Sequence, residues 1–248
     1  MDIKALGWHW ERFARTDPLW AIASLPGKRD NNWDVDEFFA TGRAEVSEVF
    51  AYLDRLGLGQ QRRTALDFGC GVGRLTQAVA QRYEHVVGID ISPTMLRLAR
   101  RYNRHGDRVR YVVNRRPHLA VLEDMRFDLV LTNIVLQHMQ PDLALGYIRE
   151  FLWFLAPGGV AVFQLPYESL IPTTTVAETP LPRRRYLDGA LRLLGRPASP
   201  NAVMELYVVP REVVIEIVQA NGARVVDVME DGAAGGGHRS ARYCVVRD

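Results

Sequence analysis

A chain of 248 residues, 48% of them hydrophobic and 24% charged, is long enough to bury one sizeable core and too apolar to be disordered. Lys and Arg outnumber Asp and Glu by 31 to 29, and a formal charge of +2 excludes the strong positive field that would by itself argue for a nucleic-acid partner. The two cysteines, Cys70 and Cys244, write neither a disulfide framework nor a paired cysteine metal site. With no leader-like start and no apolar run of membrane-spanning length, the expectation is a cytoplasmic protein with no membrane partner.

In chain order, residues 1 to 62 are rich in aromatics, including Trp8, Trp10, Phe13, Trp20 and Trp33, with Pro18 and Pro26 dividing short helices. From Arg43 to Leu58, the spacing of Val46, Val49, Phe50, Leu53 and Leu56 predicts an amphipathic helix that Gly57 and Gly59 close. The whole segment reads as a helical cap belonging to the same domain as residues 63 to 248. After Arg63, short apolar runs alternate with helical patterns. The runs are Thr64 to Phe68, Val86 to Ile89, Val109 to Val113, Phe127 to Thr132 and Val160 to Leu165. Helices are predicted between them over Arg74 to Tyr83, Pro93 to His105 and Pro141 to Leu155. That alternation argues for an α/β fold: a doubly wound, mostly parallel sheet with helices on both faces.

Residues 166 to 210 hold seven of the thirteen prolines and the triplet Arg183, Arg184 and Arg185. An irregular insertion of this length predicts a lid or substrate segment, and its arginines an attraction for acidic substrates. Order returns with a helix over Arg211 to Asn221 and two strand-like runs, Ala223 to Met229 and Ala241 to Arg247, joined by a glycine-rich hairpin.

The chemistry-bearing motif is Leu66-Asp67-Phe68-Gly69-Cys70-Gly71-Val72-Gly73-Arg74, which runs from the first strand straight into a helix. Glycines there allow a tight turn and close approach of a ligand. A dinucleotide fingerprint wants its third glycine where Arg74 stands, which weakens a nicotinamide or flavin reading. The second strand ends on Asp90, whose two acceptor oxygens can take both hydroxyls of a ribose.

LDFGCGVG and GID together resemble the first two motifs of the class I S-adenosylmethionine-dependent methyltransferases, and FDLVLTNIVLQHM and LAPGGVAVF resemble the segments around that family's fourth and fifth strands. The resemblance implies a seven-stranded sheet whose last strand is antiparallel. It implies S-adenosylmethionine as cofactor, S-adenosylhomocysteine as product, and Gly69, Gly71 and Gly73 facing the methionine portion with Asp67 nearby. Asp90 would hold the ribose, Ile91 would line the adenine pocket, and Asn114 would stand where the family often has an acid near the adenine amino group. Arg43 or Arg74 would assist the helix N-terminus in holding the methionine carboxylate.

Methyl transfer from a sulfonium needs alignment and exclusion of water more than strong acid chemistry. In open α/β sheets ligands lie beyond the carboxyl ends of the strands, which places Asn133, Gln137, His138, Gln164, Tyr167 and His238 at the active-site edge. His138 and His238 are the histidines among them and hence the candidate general bases. The acceptor is expected to be an oxygen or nitrogen of a small molecule, such as a natural-product intermediate or a peptide carboxylate. Alternatives are a nucleic-acid methyltransferase, a non-catalytic S-adenosylmethionine-binding regulator and a nucleotide-dependent oxidoreductase. Arg97, Arg100, Arg101, Arg104, Arg108 and Arg110 read as a solvated face rather than a nucleic-acid patch.

Overall fold

The computed structural model describes residues 2–170, 176–177 and 202–247. Three helices come first, α1 (Ile3–Thr16), α2 (Pro18–Ile22) and α3 (Val35–Arg55). The alternating core follows as β1 (Thr64–Phe68), α4 (Arg74–Val79), β2 (His85–Asp90), α5 (Pro93–Tyr102), β3 (Val109–Val113), β4 (Phe127–Thr132), α6 (Pro141–Phe154) and β5 (Leu155–Ser169). A short ribbon pairs β6 (Val176–Ala177) with β7 (Val203–Met204), and α7 (Arg211–Ala220), β8 (Ala223–Asp231) and β9 (His238–Arg247) complete the chain.

The sheet has seven strands in the order β3-β2-β1-β4-β5-β9-β8. Its first five are parallel, and β9 runs antiparallel to both β5 and β8. This is the expected α/β architecture. The strand order reverses at β1, so the crevice beyond the carboxyl ends of β1 and β4 is the topological switch point. Both faces are covered, which is why the central strands read as continuous apolar runs. On β1, Ala65 packs among α3, α4 and α5 on one side, and Leu66 and Phe68 pack with α6 and α7 on the other. β5 extends past its predicted end at Leu165 to Ser169, because β9 pairs with it along that length. The Arg183 to Arg185 triplet and most of the predicted insertion lie outside the described residues.

Three of the arginines around α5 are tied to the fold. Arg100 donates to the carbonyl of Tyr111, Arg108 to the carbonyls of Ala80 and Tyr83, and Arg104 pairs with Asp36 at 2.9 Å. No helix among the described residues is long and apolar enough to cross a membrane.

The N-terminal helices are fastened beside the switch point by one carboxylate. Glu11 of α1 accepts from Ser92 Oγ at 2.7 Å, from Thr94 Oγ1 at 2.7 Å and from the Thr94 N–H at 3.2 Å, so it caps the first turn of α5 from another helix. Burial works to raise its pKa, but these bonds and the one from Arg15 prevail and hold it down to about 2. Glu11→Ala is therefore expected to lower unfolding free energy by about 1–3 kcal/mol in urea titration and to speed amide exchange selectively along α1.

Candidate active site

The turn after β1 is built around Asp90. Gly69, Gly71 and Gly73 all have positive φ, at 74°, 54° and 85°. The N–H groups of Gly69 and Cys70 donate to the carbonyl of Ile89 at 2.8 and 2.9 Å. The Gly71 N–H donates to Asp90 Oδ2 at 2.9 Å and the Ser92 N–H to Asp90 Oδ1 at 2.8 Å. Each carboxylate oxygen keeps a further lone pair for a diol. Burial pushes the Asp90 carboxyl up to about 6, against the lowering effect of those backbone donors. Asp67, 2% exposed, accepts from Thr76 Oγ1 at 2.5 Å, and burial pushes its carboxyl up to about 7.

Above this turn lies a cavity of about 680 Å³. That is ample for a nucleoside-sized ligand with a small second molecule, because such sites commonly span about 300–1,000 Å³. Asp67, Gly69, Gly71, Asp90, Ile91, Asn114, Asn133 and His138 all line it. Gly73 does not; it opens α4, and a side chain there would strike the Tyr111 hydroxyl. A Cβ on Gly71 would come 2.5 Å from Ile22 Cδ1, so the cap itself occupies the space that this glycine leaves.

Besides Gly73, two further predicted positions lie off the cavity wall. Arg43 is exposed on α3 and absent from the cavity wall; its helical neighbours Thr41 and Glu45, one turn apart, face inward instead. His238 opens β9 opposite Ser169, and the cavity is lined there by the preceding residues Gly232 to Gly235. Arg74 does reach the cavity, but it is tied to Glu45 at 2.7 Å and to Thr41 Oγ1 at 3.2 Å. Glu45 in turn accepts from Asn133 Nδ2 at 2.6 Å. Asn133 Oδ1 and Arg74 Nε are left buried without hydrogen-bond partners, an unmet acceptor and donor in the cavity wall. Asn114 is largely engaged, its Oδ1 accepting from the Arg116 N–H at 3.1 Å and its Nδ2 donating to the His118 carbonyl at 3.1 Å.

Of the other edge candidates, Gln137 and His138 line the cavity, Gln164 stands behind them, and Tyr167 is turned outward to Glu230 and Arg211. His138 Nδ1 lies 2.7 Å from the Glu205 carbonyl, which can only accept, so Nδ1 carries the proton and Nε2 keeps its lone pair. Gln137 Nε2 sits 3.4 Å from that nitrogen, Gln164 Nε2 donates to Gln137 Oε1 at 3.2 Å, and the Ile134 N–H donates to Gln164 Oε1 at 3.3 Å. Burial pushes the imidazole down to about 4, so it is neutral at physiological pH. Trp10 from α1 meets its ring edge-on at 5.3 Å.

Residues 65–159 match the family model described as a methyltransferase domain. The matched stretch runs from β1 into β5 and holds the glycine turn and Asp90. A trans-aconitate 2-methyltransferase from Methylobacterium radiotolerans is 37% identical over 118 residues, 45% of this chain and 41% of that protein. A ubiquinone biosynthesis O-methyltransferase from Bordetella avium is 30% identical over 132 residues, 53% of this chain and 54% of that protein. The chain thus spans about half the length of the curated relatives it matches. The crystal structure of magnesium protoporphyrin IX methyltransferase from Synechocystis PCC 6803 with bound S-adenosylhomocysteine superposes with a TM-score of 0.64 at 18% identity, covering 100% of both chains. At that identity the likeness establishes the fold.

Around the glycine turn and Asp90, sequence reasoning missed Thr41, Glu45 and Ile22, since nothing local marks which turn of a cap helix faces a cavity. It also missed Ile134, held at φ 57°, a left-handed conformation that a β-branched side chain rarely adopts. Asp67 offers a test of the site's internal cost. A carboxyl whose folded pKa lies above its unfolded one leaves stability intact below pH 4, where both states are neutral. The loss grows as pH rises from about 4 to about 7. Asp67→Asn, which keeps an acceptor for Thr76, is expected to raise the stability of the cofactor-free protein by about 1–2 kcal/mol at pH 8, with the gain vanishing near pH 4 in denaturant titrations.

Proposed function

We propose that this chain is an S-adenosylmethionine-dependent methyltransferase acting on an oxygen or nitrogen of a small molecule. The observation that carries the reading is the Asp90 carboxylate, fixed by the Gly71 and Ser92 N–H groups at the floor of a crevice at the switch point. Asp90 would take the ribose hydroxyls, Ile91 and Asn114 would bound the adenine, and Asp67, Gly69 and Asn133 would surround the amino-acid end. The unmet acceptor on Asn133 suits an ammonium donor and the unmet donor on Arg74 a carboxylate. Glu45, Asp67 and Asp90 against Arg74 give the wall an acidic balance that complements a sulfonium.

When bound, S-adenosylmethionine supplies an electrophilic methyl on a positively charged sulfur. The chain's own residues position and enclose it: Ile22 and Trp10 close the crevice from the cap side and exclude water. His138 stands as the candidate base.

Calorimetric titration tests the cofactor. Wild-type protein is expected to bind S-adenosylmethionine and Asp90→Ala to bind it about 10- to 100-fold more weakly, given what charge-assisted hydrogen bonds contribute. Absence of wild-type binding overturns the reading. Because a ribose diol needs the ionised carboxylate, affinity is expected to fall as pH drops through about 6 and to stay flat above about 7. Release of S-adenosylhomocysteine with an acceptor, lost in Asp90→Ala, separates an enzyme from a regulator that only binds the cofactor.

A further inference from the structure

The cavity is chemically lopsided. The carboxylates Glu45, Asp67 and Asp90 and the cation Arg74 lie around the glycine turn and the ends of β1, β2 and α3. The region next to His138 is walled by Trp10, Val135, Met139, Met204 and Leu206, with Gln137 and His138 as its polar groups. Among the described residues lining the cavity Arg74 is the one cation, and its guanidinium is bound to Glu45 and Thr41. An anionic acceptor would lose its hydration there without gaining a counter-charge from the described residues, and an ammonium would be desolvated beside a neutral imidazole.

The polar end has a defined direction. The bonds from the Ile134 N–H to Gln164, from Gln164 to Gln137 and from His138 to the Glu205 carbonyl fix both amides and the tautomer, so the group presented at Nε2 is a lone pair. Its contact to Gln137 is 3.4 Å, long for a hydrogen bond, so a closer donor can take that nitrogen.

Resting on the methyltransferase reading above, we infer that the acceptor is an uncharged, largely apolar molecule that presents one hydroxyl to His138 Nε2. The methyl acceptor is then that oxygen. It supplies the electron pair of the new O–C bond, the C–S pair stays on the sulfur as a neutral thioether, and the hydroxyl proton passes to His138 Nε2 as the O–C bond forms, while the Glu205 carbonyl accepts from Nδ1 throughout.

The test uses the full chain saturated with S-adenosylhomocysteine and three probes of one shape: 2-naphthol, 2-naphthoate and 2-naphthylmethylamine, compared by calorimetry near neutral pH. The naphthol is expected to bind at least about tenfold more tightly than either charged probe. His138→Leu is expected to weaken naphthol binding about tenfold while leaving the affinity for S-adenosylhomocysteine within about twofold. Equal or tighter binding of a charged probe, no binding of the naphthol, or indifference of the naphthol to His138→Leu overturns the inference. If that variant does not fold, the ranking on the wild-type complex decides alone. Failure of S-adenosylhomocysteine to bind at all is a different result, and it removes the methyltransferase reading itself.

Discussion

One carboxylate receives two backbone N–H groups from different parts of the chain, and the site is organised by that convergence. Asp90 joins the glycine turn leaving β1, through Gly71, to the start of α5, through Ser92. Its own carbonyl accepts from the Asn114 N–H at 2.9 Å, and the Ile89 carbonyl beside it takes both Gly69 and Cys70. The carboxyl ends of the first three strands are thereby stitched together at residues 89 and 90. A carboxylate in such a buried place is not free energetically: dehydration raises its pKa, and the same holds for Asp67 one strand away. Two acids held above their ordinary range at one crevice are hard to explain as stabilising features, and they make sense as acceptors and countercharges for something that binds there.

The helical cap and the alternating core complete each other. Glu11 supplies the cap for α5, Ile22 covers the turn at Gly71, and Trp10 closes on His138. On the other side Glu45 of α3 holds both Arg74 and Asn133. The cavity wall therefore draws on residues separated by most of the chain, from Ile3 to Gly235.

Periodicity and motif spacing made the core readable before any coordinates. Thr64 to Phe68, Val109 to Val113 and Phe127 to Thr132 are strands with the predicted bounds, because each is a short apolar run between turn signals. The glycine turn and Asp90 were legible because their chemistry is local and their spacing is set by one βαβ unit. Residues whose role depends on how a helix is rotated were not legible. Arg43 looked suitable by charge, yet Thr41 and Glu45 occupy the inward face, a matter of about 200° around the helix axis that only packing settles. His238 was assigned to a hairpin that proved shorter than its glycines suggested, since β9 begins at that residue. Tyr167 sat at the correct strand end but on an extended stretch of β5, where it meets Arg211 and Glu230 instead.

The contact between Ile22 and Gly71 bears on how sequence variation at the glycine turn should be interpreted. A side chain introduced at position 71 collides first with the protein's own second helix. Loss of activity in such a variant would report a displaced helix as readily as a blocked ligand. A smaller residue at position 22 would remove that collision and leave the other obstacle standing, because the backbone at position 71 holds φ at 54°, where a side chain is strained whatever space surrounds it.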